Sequence, residues 1–525
     1  MIDEPRPPED PSAPDFPAPP EVGPVELVVV GVAVAVGLVL RFATTSPLWL
    51  DEALSVNIAS LPLGELAGAL RHDGHPPLYY TLLHGWMELF GDGDVAVRSL
   101  SGVFSVLTLP AVALLGRRRR GREAALAAVV LLALSPYATL YATEARMYSL
   151  VILLVAVGWL LLDRLMDGGG WSPAVGIGVV ATLLLYSHYW SIWLLGVIGL
   201  VLLRVAWRGA DPQRRTAARR GAAALVAAAI AFVPWLPVML DQLAHTGTPW
   251  GSPQRPTTSF AVTLGDLAGV HLAPEAIAGV VLLVGLLVLA VTGIPQPPSR
   301  IVLDLRTVPG IRRELLVVAG ALLLGILITL ATGATFATRY AAFAVPVVFV
   351  AAGIGLIATP SRTTRGVIGA LAVLALGGAA VVGVGDQRTQ ARSSATAVME
   401  SVAPGDIVLL CPDQLGPAFA REFDPDVPVE VLTYPALTDP RFVDWRDYGE
   451  RNAAADPEAI ALDLHERAGG AGVWLVWMPG YSTFDSQCER VRDALSTVRR
   501  LELAEEPGLG TYSEPMWTMR FSIGS

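Results

Sequence analysis

Lysine is absent from this chain, and all 37 of its basic residues are arginine. The bias suggests a GC-rich genome, and it leaves the guanidinium group as the main cation for any chemistry. Charge of either sign is scarce, at 16% of the residues against about 25% in an ordinary soluble domain. With 53% hydrophobic residues and a mean hydropathy of +0.53, this is not the composition of a soluble enzyme. Two cysteines, Cys411 and Cys488, cannot build a thiolate metal cluster, though one disulfide is possible in an oxidising compartment. A net charge of −10 argues against nucleic acid as a partner, because phosphate binding draws on clustered positive charge that releases counterions.

What the sequence does have is long apolar runs. Residues 1–24 carry prolines and acids with little apolar content and are expected to be a disordered cytoplasmic tail. From Val25 to Leu40 the chain is almost purely Val, Leu, Ala and Gly. No small-residue cleavage site follows and the preceding tail is not basic, which favours a membrane-spanning helix over a cleaved signal peptide. Further stretches long enough to cross a hydrocarbon core of about 30 Å lie near 99–116, 124–141, 147–163, 173–187, 190–206, 221–240, 274–294, 314–332, 341–358 and 366–385, giving eleven spans in all.

Short cytoplasmic loops are enriched in arginine, which orients the spans. With the N-terminus in the cytoplasm, the loops beginning at Arg117, Arg164, Arg204, Arg300 and Arg362 all fall on that side. The opposite face keeps isolated arginines only: Arg71, Arg98, Arg146, Arg255 and Arg339. An odd number of spans then puts everything after about residue 386 outside the cytoplasm. The expected architecture is a polytopic α-helical membrane domain over 25–394 and a soluble extracytoplasmic α/β domain over 395–525. The latter holds 22 acidic residues against 10 arginines, so the negative charge of the chain belongs to it. Its β-type runs at Ile407–Leu410, Val429–Thr433 and Val473–Trp477 alternate with helical segments such as Pro457–Arg467 and Ser486–Ser496. No glycine-rich phosphate fingerprint follows any of them.

The first exterior loop, roughly 42–98, is long for a membrane connection, and long structured loops usually have a task. It opens with Trp49-Leu50-Asp51-Glu52, two adjacent carboxylates just beyond the first span. They read either as a functional pair near the membrane boundary or as a solvated cap on a helix from Ala53 to Ser60. Leu61, Leu63, Leu66 and Leu70 then form a short amphipathic pattern suited to the interface. Asp73-Gly74-His75-Pro76-Pro77-Leu78-Tyr79-Tyr80 follows, its proline pair fixing the turn that starts the next helix. His72, Asp73 and His75 are metal-ligand types, but neighbouring loop residues without a distant further ligand do not make a site, and no metal is expected. His84 reads as a packed histidine.

Arg98, Arg146 and Arg339 stand at exterior helix ends on the face of Asp51 and Glu52. A planar, permanently charged fork suits phosphate, although any one of them could instead snorkel to lipid headgroups. His188-Tyr189-Trp190 ends the fifth span on the same face, as an aromatic belt or a wall for a sugar ring.

The order Leu50-Asp51-Glu52, His75-Pro76-Pro77-Leu78-Tyr79-Tyr80, Arg98-Ser99-Leu100, Glu144-Ala145-Arg146-Met147-Tyr148-Ser149 and Tyr186-Ser187-His188-Tyr189 resembles glycosyltransferase family 39 and its relatives in the GT-C superfamily. These are the protein O-mannosyltransferases and bacterial lipid-linked sugar transferases. The resemblance runs over about residues 25–205, with Arg339-Tyr340 beyond it. It implies a multi-pass glycosyltransferase of a bacterial plasma membrane that takes a sugar, mannose or a pentose, from a polyprenyl-phosphate donor. The acceptor would be a glycan, lipid or protein outside the cytoplasm, with membrane lipid as the surroundings and no cofactor required. By the same resemblance Asp51 is the general base with Glu52 beside it, and Arg98 matches the family's arginine before the second span; with Arg146 and Arg339 on the same face it is expected to hold the donor phosphate. His75, Tyr79, Tyr80, Glu144, Tyr148, His188 and Tyr189 line the substrate pocket. The lysine that some relatives use near the lipid phosphate is missing here, so arginine must serve.

Elementary chemistry agrees with that division. Displacing phosphate from a sugar carbon needs an acceptor hydroxyl relieved of its proton and a leaving group whose charge is stabilised. One direct displacement inverts the anomeric centre. The competing readings are a transporter or flippase of lipid-linked glycans and an exterior sensory domain on an anchor. A transporter would place charges near mid-membrane, often in repeated halves, and an anchor would need only one span.

Overall fold

A computed structural model describes residues 23–248, 251–271, 273, 276–296, 300–304, 310–481, 483–506 and 512–523. The tail expected to be disordered lies, through residue 22, outside them. A lipid core offers the backbone no hydrogen-bonding partner but itself, so apolar runs of this kind fold as helices. After α1 (Pro24–Leu40), the first loop carries α2 (Leu50–Ala59), α3 (Leu66–Asp73) and α4 (Leu78–Phe90). There follow α5 (Asp94–Ala133), α6 (Pro136–Ala142), α7 (Tyr148–Met166), α8 (Trp171–Ser187), α9 (Ser191–Arg208), α10 (Pro212–Phe232), α11 (Leu236–His245), α12 (Pro256–Ala268) and α13 (Ile277–Thr292). An antiparallel hairpin, β1 (Gly293–Gln296) and β2 (Arg300–Leu303), leads to α14 (Arg312–Thr332), α15 (Val345–Ile357) and α16 (Arg362–Gly385). Among the described residues, seven helices are long and apolar enough to cross a membrane, and three shorter apolar helices accompany them. The protein is a multi-pass membrane protein.

The 40 residues of α5 are two helices rather than one. Arg120 and Gly121 leave helical geometry, Gly121 at a φ of +81° that a side chain would strain. Gly116 packs so closely on the returning half that a Cβ there would lie 2.9 Å from the Cα of Ala125. Residues so near in sequence meet in this way only across a hairpin, so Arg117–Arg120 forms the turn between two antiparallel halves. The returning half differs from the stretch read at 124–141. It stops at Ala133, where Ser135 accepts the N–H of Ala138 and Pro136 opens the separate α6. The stretch read at 221–240 likewise continues from α10 through a 3₁₀ turn at Val233–Trp235 into α11.

Helix α15 is the buried centre of the bundle. Its glycines admit neighbouring backbones: a Cβ at Gly355 would meet Leu286 O on α13 at 1.9 Å, and one at Gly353 would meet Ala128 N on α5 at 2.7 Å. Arg41, only 1% exposed, ties α1 to both halves of α5. It donates to Ser105 Oγ (2.9 Å) and to the carbonyls of Gly37, Ala133 and Leu132 (2.7, 2.6 and 3.0 Å).

Beyond α16 lie α17 (Ala391–Ser401), β3 (Ile407–Cys411), α18 (Gly416–Glu422), β4 (Glu430–Thr433), α19 (Tyr448–Ala453), α20 (Pro457–Ala468), β5 (Val473–Trp477), α21 (Gln487–Val498), β6 (Arg500–Glu505) and β7 (Trp517–Ser522). The sheet runs β4-β3-β5-β7-β6. Strands β3, β4 and β5 are parallel, and β7 and β6 are added antiparallel. Val408, Leu410, Trp474 and Val476 pack with α17 and α18, while Leu409, Cys411, Leu475 and Trp477 pack with α20 and α21. Cys411 and Cys488 are joined in a disulfide between β3 and α21.

This α/β layer sits on the first loop. Trp445 N donates to His72 O (2.9 Å), His72 pairs with Asp444 (2.8 Å), Asn57 donates to Arg441 O (2.7 Å), and Asp241 gathers Arg446 (2.5 Å) and Arg71 (3.3 Å).

The close seat of α15 on α13 is testable. Gly355→Ala is expected to lower stability by about 3 kcal/mol, as overpacking against backbone does, whereas Gly366→Ala in α16, with open space around it, should be neutral or slightly stabilising. Thermal unfolding in detergent measures both, and equal melting of the two variants would contradict the packing.

Candidate active site

The helix that carries the two carboxylates begins at Leu50 and has Trp49 as its N-cap, so Asp51 and Glu52 lie inside its first turn. Neither is the cap of a helix starting at Ala53. Adjacent residues on a helix point about 100° apart, and the two acids accordingly have different surroundings.

Glu52 is fully buried. Its oxygens accept Arg98 Nε at 2.7 Å, Arg98 Nη2 at 2.5 Å, Ala145 N at 2.9 Å and Arg388 Nη1 at 3.4 Å. Burial by itself would push the carboxyl up, but Arg98, Arg388 and the Ala145 N–H outweigh it and hold the group below the ordinary carboxylate range. Arg98 also donates to Ser46 O (2.6 Å) and Pro47 O (3.0 Å), so that all three of its nitrogens are engaged. Its guanidinium is thus occupied by protein acceptors, which differs from the expectation that Arg98 faces a donor phosphate. The reason is the neighbour it finds across the loop, a buried carboxylate that needs a counter-charge.

Asp51 turns the other way and keeps 16% of its side chain exposed. Its Oδ2 lies 3.1 Å from Arg339 Nη1 and 3.9 Å from Arg146 Nη2. Arg146 also reaches Ser55 Oγ (3.0 Å), Tyr80 Oη (3.3 Å) and His75 Nε2 (3.0 Å). Asp73 closes the chain by accepting from His75 Nδ1 (2.9 Å) and Tyr80 Oη (2.6 Å). Asp73 and Arg146 thus flank the two ring nitrogens of His75. Among the described residues no group of three His, Cys, Asp or Glu is placed to hold a metal ion.

Aromatic rings border this cluster. Tyr148 meets His188 with centroids 5.7 Å apart, His188 meets Tyr340 at 5.5 Å, and Tyr340 stacks on Trp190 at 5.0 Å. Burial, then the charges of His75, Arg146 and Arg339, push His188 well below its ordinary value, so its ring is neutral. Tyr148 Oη is buried without a hydrogen-bond partner. Glu144 Oε1 is in the same position, and burial, reinforced by Glu52 and Asp51 against the pull of Arg388, pushes its carboxyl up to about 7. Two expected pocket residues are elsewhere: Tyr79 is fully buried on Ser101 (2.8 Å), and Tyr189 bonds Gln242 and Trp235 behind the wall. Tyr80 supports Arg146 and Asp73 from beneath.

The sequence reading passed over Arg388 and Glu514. Arg388, directly after α16, donates to Thr143 O (2.9 Å) and Thr143 Oγ1 (2.8 Å) as well as to Glu52. Glu514 accepts the Leu50 N–H at 2.7 Å. An arginine just past the C-terminal end of the last apolar helix was the available signal for the first; no local pattern marks the second.

Comparison with known proteins follows the same lines. The family model described as dolichyl-phosphate-mannose-protein mannosyltransferase matches residues 74–240. Among solved structures the chain is similar to ArnT from Cupriavidus metallidurans in the apo state, with a TM-score of 0.57 and 13% identity over 94% of this chain and 98% of that one. ArnT from the same organism bound to undecaprenyl phosphate aligns with a TM-score of 0.56 and 12% identity, over 95% and 98% of the two chains. At such identities the likeness is one of fold, and it takes in the sheet-containing C-terminal region. No curated protein matches the sequence. The chain resembles the GT-C glycosyltransferases of protein O-mannosyltransferase type.

The two neighbouring acids should part company on mutation. Glu52→Gln leaves Arg98 and Arg388 buried without their counter-charge and is expected to cost about 3–5 kcal/mol of stability. Asp51→Asn, partly exposed, should cost about 1 kcal/mol or less. Thermal unfolding of purified variants reads the difference, and equal stability would contradict the buried role of Glu52.

Proposed function

We propose that this protein is an integral-membrane glycosyltransferase that moves a sugar from a polyprenyl-phosphate donor to a hydroxyl-bearing acceptor on the extracytoplasmic face of a bacterial plasma membrane. The observation that carries the reading is Asp51 held between Arg146 and Arg339 beneath an aromatic wall. A carboxylate and two guanidinium groups at one point are what the displacement of a phosphate needs. The GT-C fold and the family-model match support the same reaction class.

In this account Arg146 and Arg339 take the donor phosphate in charge-assisted bonds. As the phosphate draws Arg339 away, Asp51 Oδ2 is released to accept the proton of the acceptor hydroxyl. That oxygen attacks the anomeric carbon, the bond to phosphate breaks, and the leaving phosphate stays on the arginines. A single displacement inverts the anomeric centre. Arg98 acts one step back, by fixing Glu52 and with it the helix that bears Asp51. Tyr148, His188 and Tyr340 offer ring faces to the sugar, and Glu144, with His75, borders the same space. The arginine asymmetry of the loops supports a cytoplasmic N-terminus and an exterior C-terminal domain. Mannose is the first expectation for the sugar and a pentose the second, with a glycan, lipid or protein as acceptor.

Purified protein given labelled polyprenyl-phosphate sugars and a membrane extract as acceptor should cleave the donor and transfer the sugar, with activity surviving strong chelator. A flippase would move the donor between leaflets without consuming it. Asp51→Asn should cut turnover by roughly 10²–10⁴ while donor still binds, and Arg339→Ala should weaken donor binding and turnover together. Near-normal turnover by Asp51→Asn would remove it as the base.

A further inference from the structure

The helix bearing Asp51 has no cap of its own: Trp49 at its N-cap makes no side-chain hydrogen bond to the first turn. The first N–H groups of a helix need an acceptor, above all where water is excluded. Here Glu514 supplies one from 464 residues away, its Oε1 accepting Leu50 N at 2.7 Å. Glu514 is only 5% exposed, and its own backbone is tied in place. Its N–H donates to Arg388 O (3.1 Å), its carbonyl accepts Gln390 N (3.2 Å), and Gln390 Oε1 accepts Met516 N (2.8 Å). The strap formed by Arg388–Gln390 is the first chain beyond the last membrane helix. It grips the loop as well, since Arg388 N donates to Ser46 Oγ at 2.8 Å and its guanidinium reaches Glu52 and Thr143. Two segments outside the motif region therefore meet at the root of α2.

We propose that Glu514 is a positioning residue for the transfer reaction, capping α2 from the far end of the chain and so setting where the Asp51 carboxylate stands. The proposal rests on the reading of Asp51 as general base. It makes proton abstraction depend on the seating of the C-terminal domain, whereas the arginines that hold the donor phosphate sit on other elements, Arg146 before α7 and Arg339 before α15. The cap acts as a hydrogen-bond acceptor rather than as a charge. Burial, with the nearby Asp51 and Glu52, outweighs the Leu50 N–H and Thr389 and pushes the Glu514 carboxyl up to about 8. At neutral pH the side chain is therefore mostly an uncharged acid, which a glutamine mimics in shape and in the carbonyl oxygen it presents.

The test uses the full chain in detergent or nanodiscs, with turnover and donor affinity measured separately and amide hydrogen exchange followed over residues 50–56. Glu514→Ala should lower kcat about tenfold, the scale of one lost helix cap, with donor affinity within about twofold of the parent and faster exchange in α2. Glu514→Gln should restore kcat and slow exchange. Should Glu514→Ala fold poorly, Glu514→Asp, one methylene too short to reach Leu50 N, replaces it with the same expected loss. Turnover and donor affinity falling together, Glu514→Gln as impaired as Glu514→Ala, or Glu514→Asp equal to the parent would each overturn the proposal. Absence of transfer by the parent protein with every donor would instead sink the functional reading on which it rests.

Discussion

One buried carboxylate organises the end of this protein where the first loop meets the C-terminal domain. Glu52 has no exposure, and a lone charge in such a place would cost several kcal/mol unless it were paired and hydrogen-bonded. Its partners come from three separate stretches, none of them its own helix: Arg98 from the start of α5, Ala145 from the turn before α7 and Arg388 from beyond α16. Satisfying Glu52 therefore draws the first loop, two membrane helices and the C-terminal strap to one point. It also fixes the rotation of α2, and with Glu52 turned inward Asp51 has to face the open site. The second acid is available because the first is not.

The same economy runs through the rest of the site. Arg146 serves Asp51, Ser55, Tyr80 and His75 at once, and His75 is held in turn by Asp73. Arg339 approaches Asp51 from the turn that precedes the buried α15, whose glycines let it sit deep in the bundle. Groups pre-aligned in this way need little rearrangement when charge develops on a leaving phosphate. The C-terminal sheet adds no phosphate fingerprint of its own. Its contribution visible at the site is mechanical: it seats on His72, Asn57 and Asp241 and reaches Leu50 through Glu514.

Much of this was legible in the sequence, and the illegible part has a physical cause. Apolar runs announce helices because lipid leaves the backbone no alternative, and the four arginines at 117–120 marked the turn inside α5. Strands β3 and β5 showed as continuous apolar runs, whereas β6 and β7 did not, since Arg500–Glu505 and Trp517–Ser522 mix charged or polar residues with apolar ones. Asp51, Arg146, Arg339 and His75 were found by motif and do converge. Arg98 was given to the phosphate because a motif shows which residues matter and not which of two neighbouring acids is turned inward. Arg388 and Glu514 left no trace in local spacing, for they meet their partners across 336 and 464 residues.

The central claim is that one carboxylate, Asp51, works as a base in a single displacement with the arginines holding the departing phosphate. The most direct test is the anomeric configuration of the product, determined by NMR, when the donor is a polyprenyl-phosphate sugar of known configuration. The account predicts complete inversion. Retention would require a covalent glycosyl-enzyme or a second displacement, and would contradict it.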